Sequence, residues 1–271
     1  MSNWQDGYAH TNGIRLHYTR TGGDKPALVL AHGATDNGLC WGRLVRALES
    51  DYDCVMADAR GHGLSDKPAS GYAPEDHAAD LAGLIDALGL DRPVVIGHSM
   101  GGNTATALAS LYPDAIRGAV LEDPGWRATT GTPEERAERS AQWRQNSAAM
   151  QAMSAEEIEK MGRERSPLWA DEEFPAWVAA KQQVSLNLFA AIAQRSTPWQ
   201  ENAARFRSPV LLVTAETARG SIISAETAAE AAAINPLIRV AHIPDSGHNI
   251  RRENFDAFLA AVRSFLADLY K

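Results

Sequence analysis

The chain has 271 residues, 45% of them hydrophobic and 22% charged, enough for one α/β domain with an insertion and too few for two large independent domains. A formal net charge of −8 leaves no basic footprint for nucleic acid or an anionic membrane surface. No stretch approaches the roughly 18 apolar residues of a transmembrane helix, and residues 1–7 show no positive segment followed by an apolar one, so a cytoplasmic setting is the expectation.

In chain order, residues 8–10 and 14–18 flank Asn12-Gly13, a turn pair suited to an antiparallel hairpin. Short apolar runs then recur at 27–31, 54–57, 94–96, 119–121, 209–213 and 239–243. They read as strands of a mostly parallel sheet buried on both faces. Between them Leu81, Leu84, Ile85 and Leu88 mark one helix face, and Asn103 to Tyr112 reads as a second helix. Phe255, Phe258, Leu259, Val262, Phe265 and Leu266 mark another helix near the end. The alternation breaks between about Gly125 and Arg207, a stretch with several helical segments and no convincing strand. Ser154-Ala155-Glu156-Glu157 is a capping box there, and Pro167 and Pro175 punctuate the residues beyond it. Five of the seven tryptophans fall in this stretch: Trp126, Trp143, Trp169, Trp177 and Trp199. The expected organisation is a core of 1–125 and 208–271 with a helical cap of 126–207 over the strand ends. Most of these tryptophans are expected to form the insertion's own small core; Trp126 is taken as a substrate-pocket residue.

Cys40 and Cys54 belong to no CxxC pair and have no partners at zinc-ligand spacing, so no metal is expected. The chemistry-bearing motif is Gly97-His98-Ser99-Met100-Gly101, between an apolar strand and a helix. A serine on so tight a turn takes a strained backbone, and side chains two residues to either side would strike neighbouring backbone; hence the glycines. The turn lifts the hydroxyl clear of the sheet at a helix N-terminus, where amides favour developing negative charge. A dinucleotide fingerprint would need glycine at position 99. A serine hydroxyl needs a base to take its proton, and His248, after the last strand, is the candidate. The other histidines lie in the hairpin, on a helix, in a strand or in glycine turns, where structural hydrogen bonding explains them.

With these residues in place the chain resembles the α/β-hydrolase superfamily along nearly its full length, and its esterase and lactonase members most. The resemblance implies an eight-stranded, mostly parallel sheet with a helical cap inserted after the sixth strand. His32-Gly33-Ala34-Thr35 looks like the family's oxyanion loop, which assigns the N–H groups of Ala34 and Met100 as the oxyanion donors. Trp41 stands where such proteins often carry a tryptophan, and residues 58–66 are similar to the loop after the family's fourth strand, a structural element. Chain order in the family is serine, acid, histidine. Here the usual acid position holds Ala218, and two carboxylates remain open. Glu216 lies two residues earlier with a longer side chain; Asp123, ending the sixth strand, stands at the alternative acid position of some relatives, the cap-bearing haloalkane dehalogenases among them.

The implied reaction is two-step acyl transfer on an ester or lactone, N-acyl homoserine lactones included, with a small-molecule substrate and no cofactor. Serine at position 99 argues against haloalkane dehalogenase or epoxide hydrolase chemistry, which uses an aspartate nucleophile in this fold. Cleavage of a C–C bond or an amide, or a perhydrolase activity, would use the same residues. A small-molecule receptor of this fold, which retains a triad but acts through cap movement, is the alternative from another class.

Overall fold

The computed structural model describes residues 4–126, 132–192 and 196–271; residues 127–131 and 193–195 of the expected insertion lie outside it. Strands β1 (Gln5–Thr11) and β2 (Ile14–Arg20) pair antiparallel through Asn12 and Gly13, whose positive φ of 46° and 77° is that of a two-residue hairpin turn. Then come β3 (Ala27–Ala31), α1 (Gly42–Leu48), β4 (Asp53–Ala57), α2 (Pro74–Ala87), β5 (Val94–His98), α3 (Met100–Leu111) and β6 (Gly118–Glu122). The helical stretch contains α4 (Pro133–Gln151), α5 (Ala155–Arg165), α6 (Phe174–Gln183), α7 (Phe189–Ile192) and α8 (Trp199–Ala203). The chain returns with β7 (Val210–Thr214), α9 (Ala225–Ile234), β8 (Ile238–His242), α10 (Ile250–Glu253) and α11 (Phe255–Leu269).

The eight strands form one sheet in the order β1-β2-β4-β3-β5-β6-β7-β8, parallel from β4 to β8. Alternation along each strand divides its side chains between two cores. Leu28, Leu30, Met56, Val94 and Ile96 meet α1 and α11 through Leu44, Leu48, Phe258 and Val262. Val29, Val55, Val95 and Leu121 face the other way, onto α2 and α3 through Leu84, Ile85, Ala105 and Leu108. The central strands are buried on both faces, which explains their unbroken apolar runs.

Two element boundaries differ from those expected, for local reasons. The helix expected from Asn103 begins at Met100, because Ser99 itself stands at its N-cap and Gly101 and Gly102 are wound into its first turn. Strand β7 starts after Pro209, whose ring nitrogen cannot donate to the ladder although its carbonyl accepts from Ala119 N.

The 126–207 interval also divides. Trp126 and Trp199 stack at 4.6 Å with planes 5° apart, and with Ala203 and Phe206 they belong to the core on the α3 side of the sheet. Trp126, expected as a substrate-pocket residue, is thus placed in this core. It is 6% exposed, and its Nε1–H donates to Thr106 Oγ1 at 3.0 Å inside the core. Helices α4 to α6 do pack on one another, and Trp169 and Phe174 each meet the Trp177 ring edge to face there.

Candidate active site

Ser99 sits at φ 52° and ψ −109°, a region L-residues rarely enter, held by its own N–H to Glu122 O and by its carbonyl, which accepts from Asn103 N. The glycines around it are sterically required. A Cβ on Gly97 would lie 2.1 Å from Gly101 O, and one on Gly101 would lie 2.0 Å from Ala31 O, both backbone atoms that cannot yield cheaply. The elbow is thus wedged between β3 and the start of α3.

His248 comes from the loop between β8 and α10, and its Nε2 lies 3.1 Å from Ser99 Oγ. Its Nδ1–H donates to Asp123 Oδ2 at 2.6 Å. With a carboxylate taking the Nδ1 proton, Nε2 is left to accept from the serine hydroxyl. Asp123, fully buried at φ 39° just beyond β6, also accepts from Ser221 Oγ at 2.8 Å and from the N–H groups of Ile222 and Ile223 at 2.9 Å and 3.0 Å. The loop after β7, where the family usually carries its acid, here supplies a hydroxyl and two amides to an acid on the neighbouring strand.

Glu216 does not reach the histidine. Its carboxylate accepts from Asp245 N and Arg219 Nε, both at 3.0 Å, and its N–H donates to Ser246 O, so it braces the turn before His248. The Asp245 amide first, then Arg219, holds its pKa below the usual range. The physical reason is geometric: Glu216 leaves β7 on the exposed side of the turn, whereas the left-handed Asp123 turns inward under the imidazole.

Two further residues fix the base loop: Glu253, which carries no sequence signal, and His98, whose place in a glycine turn already pointed to structural hydrogen bonding. Glu253 accepts from the amides on either side of His248, Gly247 N at 2.6 Å and Asn249 N at 3.3 Å. His98 Nε2–H donates to the His248 carbonyl at 2.9 Å, with the two rings 4.8 Å apart; burial pushes the His98 pKa well down and keeps it a neutral donor.

The loop expected to carry the oxyanion donors lies against the nucleophile, since a Cβ on Gly33 would be 3.6 Å from Ser99 Cβ. Ala34 and Met100 both pack against an apolar cluster of Tyr72, Val184, Leu188 and Phe189, with Leu186 beside them. Among the described residues, the N–H groups of Ala34 and Met100 have no protein acceptor. Residues 58–66 are structural, as expected: Asp58 accepts from His17 Nδ1, Gly38 N and Leu64 N. Among the described residues no cluster of His, Cys, Asp and Glu has a metal-site arrangement, and no helix is long and apolar enough to cross a membrane.

Comparison with known proteins agrees with this architecture. Residues 26–254 match the family described as alpha/beta hydrolase fold. The chain is similar to N-formylmaleamate deformylase of Pseudomonas putida, 32% identical over 267 residues and 96% of both chains. It is also similar to 2-(acetamidomethylene)succinate hydrolase of Mesorhizobium japonicum, 27% identical over 91% of this chain and 90% of that one. The crystal structure of an enol-lactonase from Burkholderia xenovorans superposes with a TM-score of 0.75 at 25% identity, covering 96% of this chain and all (100%) of that one. Sheet order, elbow geometry and these matches together make the chain a member of the α/β-hydrolase fold family.

Proposed function

We propose that the protein is a serine hydrolase that cleaves a carboxylic ester or lactone through an acyl-enzyme. The reading rests on the unbroken line from Ser99 Oγ to His248 Nε2 at 3.1 Å and from His248 Nδ1 to Asp123 at 2.6 Å, on a serine already held in the strained elbow conformation. Ser99 Oγ attacks the carbonyl carbon as its proton passes to His248 Nε2, and Asp123 stabilises the resulting imidazolium. The amides of Ala34 and Met100 receive the negative charge on the carbonyl oxygen, each worth about 3 kcal/mol of transition-state stabilisation. The leaving alcohol takes the proton from His248. Water then enters, gives its proton back to the imidazole and releases the acid from Ser99.

The apolar cluster of Tyr72, Val184, Leu188 and Phe189 beside both oxyanion donors fits a small or medium apolar group, and α4 to α6 act as the cap above it. The enol-lactonase of the same fold supports the lactone form of the reading. The names of the two curated relatives favour a second reading, in which the same residues cleave an N-acyl group.

A panel of p-nitrophenyl esters, aliphatic lactones, acyl homoserine lactones, and N-formyl and N-acetyl amides tests this, with Ser99→Ala as control. Turnover of an ester or lactone that vanishes in Ser99→Ala is the expected result. Activity that survives the substitution overturns the mechanism; turnover of amides alone moves the assignment to the second reading. A single slow turnover would point instead to a receptor.

A further inference from the structure

Beside the nucleophile lies a fully buried ionic network that the proposed reaction does not itself use. Lys181, Arg251 and Arg252 are matched there by Asp36, Glu122 and Glu173, every one of them under 9% exposed. Arg251 Nη1 meets Glu122 at 3.0 Å, Arg252 Nε meets Glu173 and Arg252 Nη2 meets Asp36, both at 3.1 Å, and Lys181 Nζ meets Asp36 at 3.2 Å. Glu122 precedes Asp123, Arg251 and Arg252 come shortly after His248, and Asp36 lies just past the oxyanion loop. Lys181 and Glu173 come from the helical stretch, on α6 and at its start.

All three cations lie over a tryptophan ring, and Lys181 differs from the two arginines in also holding the residue after Ala34. Its ammonium lies 4.7 Å from the centroid of the Trp177 ring and donates to Thr35 O at 2.8 Å and Thr35 Oγ1 at 2.9 Å. Thr35 is a β-branched residue at φ 64°, a left-handed conformation such side chains avoid at a cost of about 1–3 kcal/mol. It directly follows Ala34. The direction of the Ala34 N–H is fixed by the peptide between Gly33 and Ala34. A turn bond from Asp36 N–H to Gly33 O at 3.1 Å spans Ala34 and Thr35, and one buried ammonium, bonded to Thr35 twice and to Asp36, is the side chain that holds Thr35 in its unfavourable well.

We propose that Lys181 is a positioning residue: it reaches from the cap helix α6 to hold Thr35 left-handed, and thereby keeps the Ala34 N–H aimed at the oxyanion. This inference rests on the serine-hydrolase reading above. The active arrangement of the oxyanion loop is thus conditional on the cap being docked, because Lys181 leaves the loop whenever α6 does. The loop's own sequence does not secure it, since threonine at position 35 opposes the conformation that the site requires.

A fluorophosphonate probe tests this without knowledge of the substrate. Ser99 Oγ forms a bond to phosphorus, the P–F bond breaks, fluoride leaves and the serine proton passes to His248, while the phosphoryl oxygen occupies the oxyanion position. Lys181→Met keeps Asp36 paired with both arginines. We expect it to be labelled about tenfold or more slowly than the wild type, with the shape of the pH–rate curve unchanged. With p-nitrophenyl acetate, kcat falls while KM stays within about twofold, since the oxyanion exists only beyond the ground state. Thr35→Gly placed in the Lys181→Met background recovers most of the rate, because glycine enters the left-handed region without a clamp; a lysine that merely docked the cap would not be rescued this way. Labelling of Lys181→Met at the wild-type rate, or no recovery in the double variant, overturns the inference. Should Lys181→Met not fold, Thr35→Val removes one lysine contact and no charge. A reduced rate at unchanged melting temperature then supports the proposal, and the wild-type rate overturns it. Wild-type protein that is not labelled at Ser99 would instead refute the serine-hydrolase reading and leave the loop geometry untouched.

Discussion

Asp123 and Glu216 show how little residue type decides by itself. Both are carboxylates at strand ends on the proper side of the sheet, yet one is fully buried with four donors around it and the other is a half-buried brace. Asp123→Asn should lower kcat by about four orders of magnitude, because the imidazole then loses its Nδ1–H tautomer and its orientation. Glu216→Gln should leave kcat within about twofold. Steady-state kinetics on any turned-over ester reads both, and equal losses would mean that the His248 loop rather than its acid is limiting. The cysteines offer a second check at this scale. Burial pushes the Cys40 and Cys54 thiols up to about 12, so neither presents a thiolate near neutrality. Iodoacetamide under mildly alkaline conditions should label neither in the folded protein and both in urea; rapid native labelling would contradict their burial.

At the scale of elements, the segments most legible in the sequence are those whose burial follows a simple period. Helix α11 buries Phe258, Val262, Phe265 and Leu266 along one stripe against the sheet, as the apolar spacing predicts. Phe258→Ala should cost about 3–5 kcal/mol, read as a lowered urea midpoint at unchanged m-value. The elbow behaves differently, because its sequence is dictated by contact between elements rather than by any one of them. Gly101→Ala adds a Cβ 2.0 Å from the Ala31 carbonyl, so β3 or α3 must shift. We expect a loss of about 3 kcal/mol together with loss of Ser99 labelling. A stable, fully reactive Gly101→Ala would contradict the close approach.

Across the whole molecule, stability should be sensitive to acid because several ionisable groups are buried in one protonation state. Burial lowers the pKa of His32, His77 and His98, and holds His62 down to about 3. These folded values lie below the unfolded value near 6.5, so the unfolded chain binds more protons once the pH drops beneath it. Their contribution is complete above about pH 6.5 and is lost as the pH falls below it; for His62 the loss runs toward about pH 3, by about 1.4 kcal/mol per pH unit. Asp58 acts in the same direction: burial raises its carboxyl, but His17 and the amides of Leu64 and Gly38 together bring it below the usual range, so its share is lost at still lower pH. Urea unfolding should give a stability lower by at least about 2 kcal/mol at about pH 5 than at about pH 7; an unchanged midpoint would show that these histidines titrate freely. The ionic network ties the same whole together. Arg252→Met would leave Asp36 with Lys181 and Arg251 but strand Glu173 in a buried site, a cost of about 3–5 kcal/mol read in the same experiment.

The alternating fold, the elbow at Ser99, the histidine after the last strand and the placement of a helical insertion are all legible in the amino-acid order, because each is written as a local period or a steric demand on neighbouring residues. The hairpin turn at Asn12-Gly13 and the capping box at Ser154 are of the same kind. Which carboxylate meets His248 emerges on folding alone, since it depends on the left-handed turn of Asp123 and on donors 98 to 100 residues downstream. Folding also decides that Trp126 joins the core on the α3 side: an indole after a strand end carries no mark of which way it turns, and its stacking partner Trp199 lies on a distant helix. The ionic network is illegible in the chain for the same reason. Charges scattered from Asp36 to Arg252 read as ordinary surface residues until folding removes them from water, where each must find its counter-charge from a different element.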